Sequence, residues 1–271
     1  YGSNINQAQV GISDSRVTLE SVDKTENPNY LFLNLAINEN AEPGAFNITF
    51  KFPKGKPKVV AYELKERKQG SSERIGFNNS DVIYLVFPDR FSNGNPANDS
   101  IKGFSDKYNR NDPYGRHGGD IQGIINHLDY FNQLGVTALW LNPILENNQP
   151  STSYHGYAIT DFYKVDPRLG DNELYRKFSQ MAHERGLKVV KDMVFNHCGS
   201  SHWWMNDLPM HDWINQFPQF TRTNYRIPTT FDPHASTVDS SLMADGWFDL
   251  TMPDLNQRNP YMATYLIQNS I

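Results

Sequence analysis

The sequence holds 271 residues, 38% hydrophobic and 20% charged, with a formal net charge of −5 at pH 7. That composition is globular, and the absence of any basic run argues against nucleic acid as a partner. No stretch approaches the roughly 20 consecutive apolar residues of a membrane span, and the single cysteine, Cys198, excludes an internal disulfide while leaving the redox compartment open.

Residues 1–70 read as all-β. Val17–Val22, Tyr30–Ile37, Phe46–Phe52 and Val59–Leu64 are apolar or alternating runs. The breaks between them carry turn chemistry, as in Asn27-Pro28-Asn29, Glu42-Pro43-Gly44 and Pro53-Lys54-Gly55. Four such strands suggest an immunoglobulin-like β-sandwich, with its first strands missing. The chain begins at Tyr1 with no apolar signal segment after it, so a processed or trimmed start is expected. Residues 71–80, polar after Gly70, read as a linker.

After Asp81 the pattern changes to β/α alternation. Val82–Phe87 is a continuous apolar strand ending at Pro88. Asp120 opens a helix whose Ile121, Ile124, Ile125, Leu128, Phe131 and Leu134 share one face, and Gly135 stops it. Val136–Leu141 is a second strand, closed by Asn142-Pro143. Asp171 caps a further helix with Leu174, Phe178 and Met181 inward and Gly186 as its stop. Gly186–His197 then reads as one buried strand that ends in Asp192, Asn196 and His197. In a parallel β/α domain, chemistry gathers at such strand ends. Residues 200–251 form a long irregular insertion, and Asn259-Pro260 begins a last helix. The fold class is therefore α/β: a β-sandwich at 1–70, then the first part of a (β/α)8 barrel at 81–271, with a loop subdomain after the third strand. A complete barrel needs roughly 250 residues, so the chain is expected to be part of a longer polypeptide.

Four motifs, in order, resemble the α-amylase family of glycoside hydrolases. They are Phe87-Pro88-Asp89-Arg90-Phe91 with the Asn-rich segment after it; Tyr154-His155-Gly156-Tyr157 with Val165-Asp166-Pro167-Arg168-Leu169-Gly170; Asp192-Met193-Val194-Phe195-Asn196-His197; and Met252-Pro253-Asp254-Leu255-Asn256. The last is similar to the version in cyclomaltodextrinases, neopullulanases and maltogenic amylases, in which an amino-terminal β-sandwich precedes the barrel. The resemblance implies a retaining hydrolase of α-1,4-glucans such as cyclodextrins, maltooligosaccharides or pullulan. It implies that Tyr157 stacks under a glucose ring, that His155 and His197 bond its hydroxyls, and that Asp192 and Asn196 are structural at the site. The family's nucleophile and acid/base follow the fourth and fifth strands, so both are expected beyond Ile271. A homodimer through the amino-terminal domain is also expected.

Asn93, Asn95, Asn98 and Asp99 place oxygens close together, and Gly118 and Asp120 return near the start of the first helix. A hard cation takes six to eight such oxygens, and in the related enzymes this spacing binds calcium. There Asp is usual where Asn95 stands, which removes one negative charge. The alternative for this segment is an Asn/Gly/Pro-rich turn. For the whole chain, the alternatives are a non-catalytic glycan-binding or scaffold subunit, and a glucan transferase or branching enzyme. The calcium reading and the trimmed start lean toward a periplasmic or secreted protein, with the cytoplasm as the alternative.

Overall fold

The computed structural model describes residues 1–73, 75–226 and 229–270. Arg74 of the expected linker, Ile227 and Pro228 of the expected insertion, and Ile271 lie outside the described residues. The chain forms two compact units: Tyr1–Ile75 with Asp207–His211, and Gly76–Asn206 with Asp212–Ile271.

The first unit contains β1 (Gln9–Ile12), β2 (Val17–Lys24), β3 (Leu31–Ile37), β4 (Gly44–Lys51) and β5 (Lys58–Leu64). One antiparallel sheet has the order β1-β4-β5, and β2 pairs with β3 in another. Alternation in β4 sends Phe46, Ile48 and Phe50 inward. There they meet Val17 of β2 and Leu33 and Leu35 of β3, so the two sheets share one apolar core. The sequence predicts four strands, and β1 is a fifth: it is four residues long, contains Gly11, and carries too little pattern to stand out. The segment Asp207–His211 is built into this unit. The Asp207 carboxylate accepts from Tyr1 Oη at 2.7 Å, Asn29 Nδ2 at 3.0 Å and Asn27 Nδ2, while Asn27 N donates to Pro209 O at 3.1 Å.

The second unit is a three-stranded parallel sheet with helices on one face. In chain order its elements are β6 (Ile83–Val86), α1 (Pro88–Phe91), α2 (Ile121–Ile125), α3 (Leu128–Gln133), β7 (Ala138–Leu141), β8 (Leu145–Glu146), β9 (Asp161–Val165), α4 (Asn172–Glu184), β10 (Lys188–Lys191), α5 (Thr237–Asp245) and α6 (Pro260–Ser270). The strand order is β10-β7-β6, with both pairings parallel. Tyr84, Val86, Leu139, Leu141 and Val189 pack on α2, α3 and α4, where Phe131 and Phe178 are fully buried. Each such phenyl contributes about 2–3 kcal/mol by leaving water. The opposite face leaves Ile83, Leu85 and Trp140 exposed. No helix among the described residues is long and apolar enough to cross a membrane.

Two expected elements are shorter than predicted. The helix from Asp120 to Leu134 is divided at His127, whose Nδ1 lies 2.7 Å from Gly123 O. That carbonyl would otherwise accept the His127 N–H, which donates instead to Ile124 O at 3.0 Å. The strand expected from Gly186 to His197 stops at Lys191. Its partner β7 ends at Leu141, and Pro143 beyond it has no N–H to continue a ladder. Asp192–His197 is therefore irregular chain, free to turn its polar groups in several directions. The expected caps are present: Asp120 Oδ1 accepts from Gly123 N at 2.6 Å, and Asp171 Oδ1 from Leu174 N at 2.7 Å. The long loop between β7 and α4 contains the β8–β9 hairpin.

Candidate active site

The residues singled out beyond the carboxyl ends of β7 and β10 form one cluster. Tyr157 is its centre and is tied down at three points. Its Oη donates to Asp192 Oδ2 at 3.1 Å, its N–H donates to His155 Nδ1 at 2.9 Å, and its carbonyl lies 3.1 Å from His197 Nε2. Trp140 Nε1 donates to the same Asp192 oxygen at 3.2 Å, so the carboxylate joins the phenol to β7. The His155 and Tyr157 rings stack with centroids 5.9 Å apart and 29° between planes. Burial, the Asp192 charge and the hydrogen bond push the Tyr157 phenol up to about 12, which keeps it a donor.

The two imidazoles differ. His155 accepts the Tyr157 N–H at Nδ1, so its proton sits on Nε2, which has no protein partner among the described residues. Burial lowers its basicity, which favours the neutral ring. His197 is 7% exposed, with Nε2 on Tyr157 O and Nδ1 at 3.3 Å from Asn196 Nδ2. Burial takes it down to about 4, against a raising contribution from the Tyr157 backbone bond. With both nitrogens engaged, His197 reaches a sugar hydroxyl only by giving up a partner. Its ring stacks on Phe248 at 5.7 Å, and Phe248 in turn meets Tyr225 at 4.8 Å.

Backbone geometry holds the turn that carries His155 and Tyr157. A Cβ on Gly156 would lie 2.0 Å from Pro143 O, and its φ is +84°. Only glycine satisfies both conditions. Thr152, just before the turn, has φ +59°, an outlier for a β-branched residue and the kind of strain that gathers at functional sites. Behind the turn lies a buried pair. Arg168 clamps Asp166 with bonds of 2.9 and 2.7 Å and donates to Asn147 O at 2.7 Å. Burial pushes the Asp166 carboxyl up, but Arg168 and Arg116 outweigh it and hold it below its ordinary value.

The His197 segment is bridged to the Asp254 segment, with Leu255 N donating to Asn196 O at 2.9 Å. Asp254 is 2% exposed and burial lifts it to about 7, against the hydrogen bond from Asn215 Nδ2 at 2.7 Å.

The oxygen-rich loops sit beside α2. Asp120 is fully buried and accepts from Gly94 N at 3.1 Å, Asn95 N at 2.8 Å and Gly123 N at 2.6 Å. Its carboxylate thus folds the Asn93–Asn95 turn onto the helix start. Asn95 Oδ1 accepts from Ala97 N within its own turn. Asn93 Nδ2 donates to Asp99 Oδ1 at 2.8 Å, which leaves Asn93 Oδ1 buried without a partner, and Asn98 Oδ1 is in the same state. A Cβ on Gly118 would lie 2.8 Å from Asp99 Oδ1 and 2.9 Å from Asn93 Nδ2, so Gly118 closes this pocket of oxygens. Burial, with Asp120 and Asp89 nearby, pushes the Asp99 carboxyl up against the Asn93 bond. Among the described residues, no three His, Cys, Asp or Glu side chains converge as a metal cage, and the donors here are chiefly amide oxygens.

Sequence reasoning placed His155, Tyr157, His197 and Asp192 in the site, and the structure brings them together. It missed Trp140, whose indole N–H would have been legible only as one polar atom at a strand end. A parallel β/α sheet with an aromatic, imidazole and carboxylate cluster at its carboxyl edge defines an α/β protein with its candidate site where such folds place theirs. Residues 85–269 match the catalytic domain of alpha amylase, and residues 1–68 match the amino-terminal domain of cyclomaltodextrinase. The chain belongs to the α-amylase family. It is 33% identical over 196 residues to the cyclomaltodextrinase of Thermoanaerobacter pseudethanolicus, covering 69% of this chain and 31% of that protein. It is 36% identical over 201 residues to the intracellular maltogenic amylase of Bacillus subtilis, covering 69% of this chain and 30% of that one. The crystal structure of an Anoxybacillus alpha-amylase superposes with a TM-score of 0.58 at 37% identity, covering 70% of this chain and 37% of that chain. The chain thus spans about a third of the length of these relatives.

Proposed function

We propose that this chain forms the first half of the glucan site of a retaining glycoside hydrolase acting on α-1,4-glucans such as cyclodextrins, maltooligosaccharides or pullulan. One observation carries the reading: Tyr157 is held by its phenol, its N–H and its carbonyl beside the free Nε2–H of His155, at the carboxyl edge of a parallel sheet. A phenol face suits the C–H face of a pyranose, and an imidazole N–H is a directional partner for a hydroxyl. Holding both before substrate arrives spares reorganisation when charge develops on the sugar. His155 is assigned the hydroxyl contact. His197, already bonded to the Tyr157 carbonyl, is assigned the support of that ring, and it reaches the sugar when substrate displaces a partner. Asp192 and Asn196 orient Tyr157 and His197 in turn. The nucleophile and acid/base are assigned to segments beyond Ile271, in keeping with the share of the relatives that this chain spans.

Calcium is proposed at Asn93, Asn98, Asp99 and the backbone of Gly118, with Asn95 and Asp120 shaping the loop. The unpartnered buried oxygens of Asn93 and Asn98 support it, because such atoms are costly without a positive partner. Asp120 spends three of its four lone-pair sites on backbone N–H groups, so it has at most one for a cation. Bound calcium would supply charge and rigidity to these loops.

Residues 71–80 are proposed as the linker between the two domains, and the amino-terminal domain as an immunoglobulin-like sandwich that forms a homodimer. The exposed Val59, Val60 and Tyr62 on edge strand β5 support such a contact. The maltogenic amylase relative named intracellular favours the cytoplasm over the periplasmic or secreted location expected from sequence.

The test uses the whole protein that carries this chain. Tyr157→Ala should lower kcat/KM on a cyclodextrin about 100-fold, which is about 2.7 kcal/mol. Unchanged kinetics would remove Tyr157 from the site. Proton NMR of the first product should show the α-anomer, and a β-anomer would overturn the retaining mechanism.

A further inference from the structure

We propose that Asp89 sets the position of the sugar-binding turn, acting through two arginines that each grip a different residue of it. The inference rests on the reading of His155 and Tyr157 as a sugar subsite.

Asp89 follows β6 in the first turn of α1 and is 1% exposed. Its Oδ2 accepts from His117 N at 2.9 Å and pairs with Arg90 Nη1; its Oδ1 faces Arg116 Nε at 3.6 Å. The first arm is Arg90. Its Nη2 donates to Pro113 O at 2.9 Å, and the guanidinium plane lies over the Tyr154 ring at 4.1 Å. Phe87 stacks on the same ring at 5.6 Å and 25°. The second arm is Arg116, 2% exposed, whose Nη1 donates to Ser153 Oγ at 3.3 Å. Ser153 and Tyr154 open the short turn Ser153–His155 that leads through Gly156 to Tyr157. One carboxylate thus orients two guanidinium groups, and each touches one of two consecutive residues beside the subsite.

The chemistry favours a positioning role. A guanidinium can donate in its plane to a carboxylate and a carbonyl while its face stacks on a phenol, and a lysine ammonium can do only part of this. A buried arginine also needs counter-charge, which Asp166 and, at 3.6 Å, Asp89 supply to Arg116. Asp89 touches neither His155 nor Tyr157, so its influence on the sugar passes through the two arms. The same carboxylate takes the N–H groups of His117 and Gly118, and Gly118 closes the oxygen cluster around Asp99. The subsite turn and the oxygen-rich loop therefore share one anchor.

The test is made in the whole protein with a maltooligosaccharide substrate. Arg90→Lys keeps the charge beside Asp89 and loses the stacked plane. It should raise KM about 10-fold, with kcat within about 3-fold and Tm within a few degrees. Tyr154→Leu, which removes the ring under the guanidinium, should match it, and Tyr154→Phe, which keeps the ring, should behave as wild type. Because the two side chains act as one unit, Arg90→Lys combined with Tyr154→Leu should be no worse than the more impaired single variant. Asp89→Asn should raise KM at least as much as Arg90→Lys. A wild-type KM in folded Arg90→Lys, or a double variant showing the product of the single effects, would overturn the inference. Tyr157→Ala separates the two levels. If it too has wild-type KM and kcat, the subsite reading is wrong; if it is impaired while Arg90→Lys is normal, only the role of Asp89 fails.

Discussion

The turn beyond the sheet and the loops beside α2 are both dense in polar groups, yet they are satisfied in opposite ways. The protein answers all the polar atoms of Tyr157 itself: phenol to Asp192, amide to His155, carbonyl to His197. Around Asn93 and Asn98 it does not, and two buried amide oxygens have no donor. Buried polar atoms in native proteins are nearly always paired, so the exceptions call for a cause. The first region is organised by its own side chains and backbone. The second region leaves two acceptors open, and it is there that calcium is proposed. Both hang on Asp89, so the difference lies in what each region leaves open for a ligand.

The largest effect should come from breaking the closed region at its backbone. Gly156→Ala places a Cβ against Pro143 O and forces alanine into left-handed φ. The cost should be about 3 kcal/mol or more, from steric clash and backbone strain together. Denaturant unfolding would show it as a lowered midpoint at an unchanged m-value. A variant as stable as wild type would mean that the turn is not packed against Pro143.

Protonation of His197 probes the same region more gently. Its folded value near 4 lies below the ordinary 6.5. The unfolded chain therefore binds the proton more readily between these values. The stabilising contribution of the neutral imidazole is full above pH 6.5 and is lost as pH falls from 6.5 toward 4, about 3 kcal/mol in all. His197→Asn, which keeps an amide donor for the Tyr157 carbonyl, should lose less stability over that window. Equal pH slopes for the two proteins would show that His197 titrates as if exposed.

Both regions are legible in the sequence, although the contrast between them is not. Asp120 and Asp171 announced their helices because a carboxylate before an apolar 3/4 pattern has a local cause, and local causes are visible in sequence. The motif around Tyr157 and the one ending at His197 pointed to one site. Other features depended on distant partners. The run from Gly186 to His197 is apolar enough for a strand throughout, yet β10 ends where β7 stops offering bonds. The β8–β9 hairpin was hidden because β8 has only two residues and its register shifts within them. Asp89 and Arg90 were seen as part of a motif, but nothing local shows that Arg116 reaches Ser153, 37 positions away. Satisfaction was invisible in the same way: sequence names the oxygens near Asn93 and cannot show which of them find a donor.

The smallest effect should come from the open region, and it separates the two regions most directly. Asn98 is 9% exposed, and its Oδ1 is unpartnered. Removing a hydrogen-bonded amide from a core normally costs about 1–3 kcal/mol. Here Asn98→Ala should cost much less when calcium is stripped, because an unsatisfied oxygen leaves with the side chain. With calcium present, the wild type should gain about 2.7 kcal/mol at a free concentration 100 times its Kd, and Asn98→Ala should gain less. The measurement is Tm for both proteins with chelator and over a calcium series. A wild-type Tm that ignores calcium would return these loops to an Asn-rich turn. If Asn98→Ala were strongly destabilised in chelator, its oxygen would already have a partner, and the contrast with the Tyr157 region would disappear.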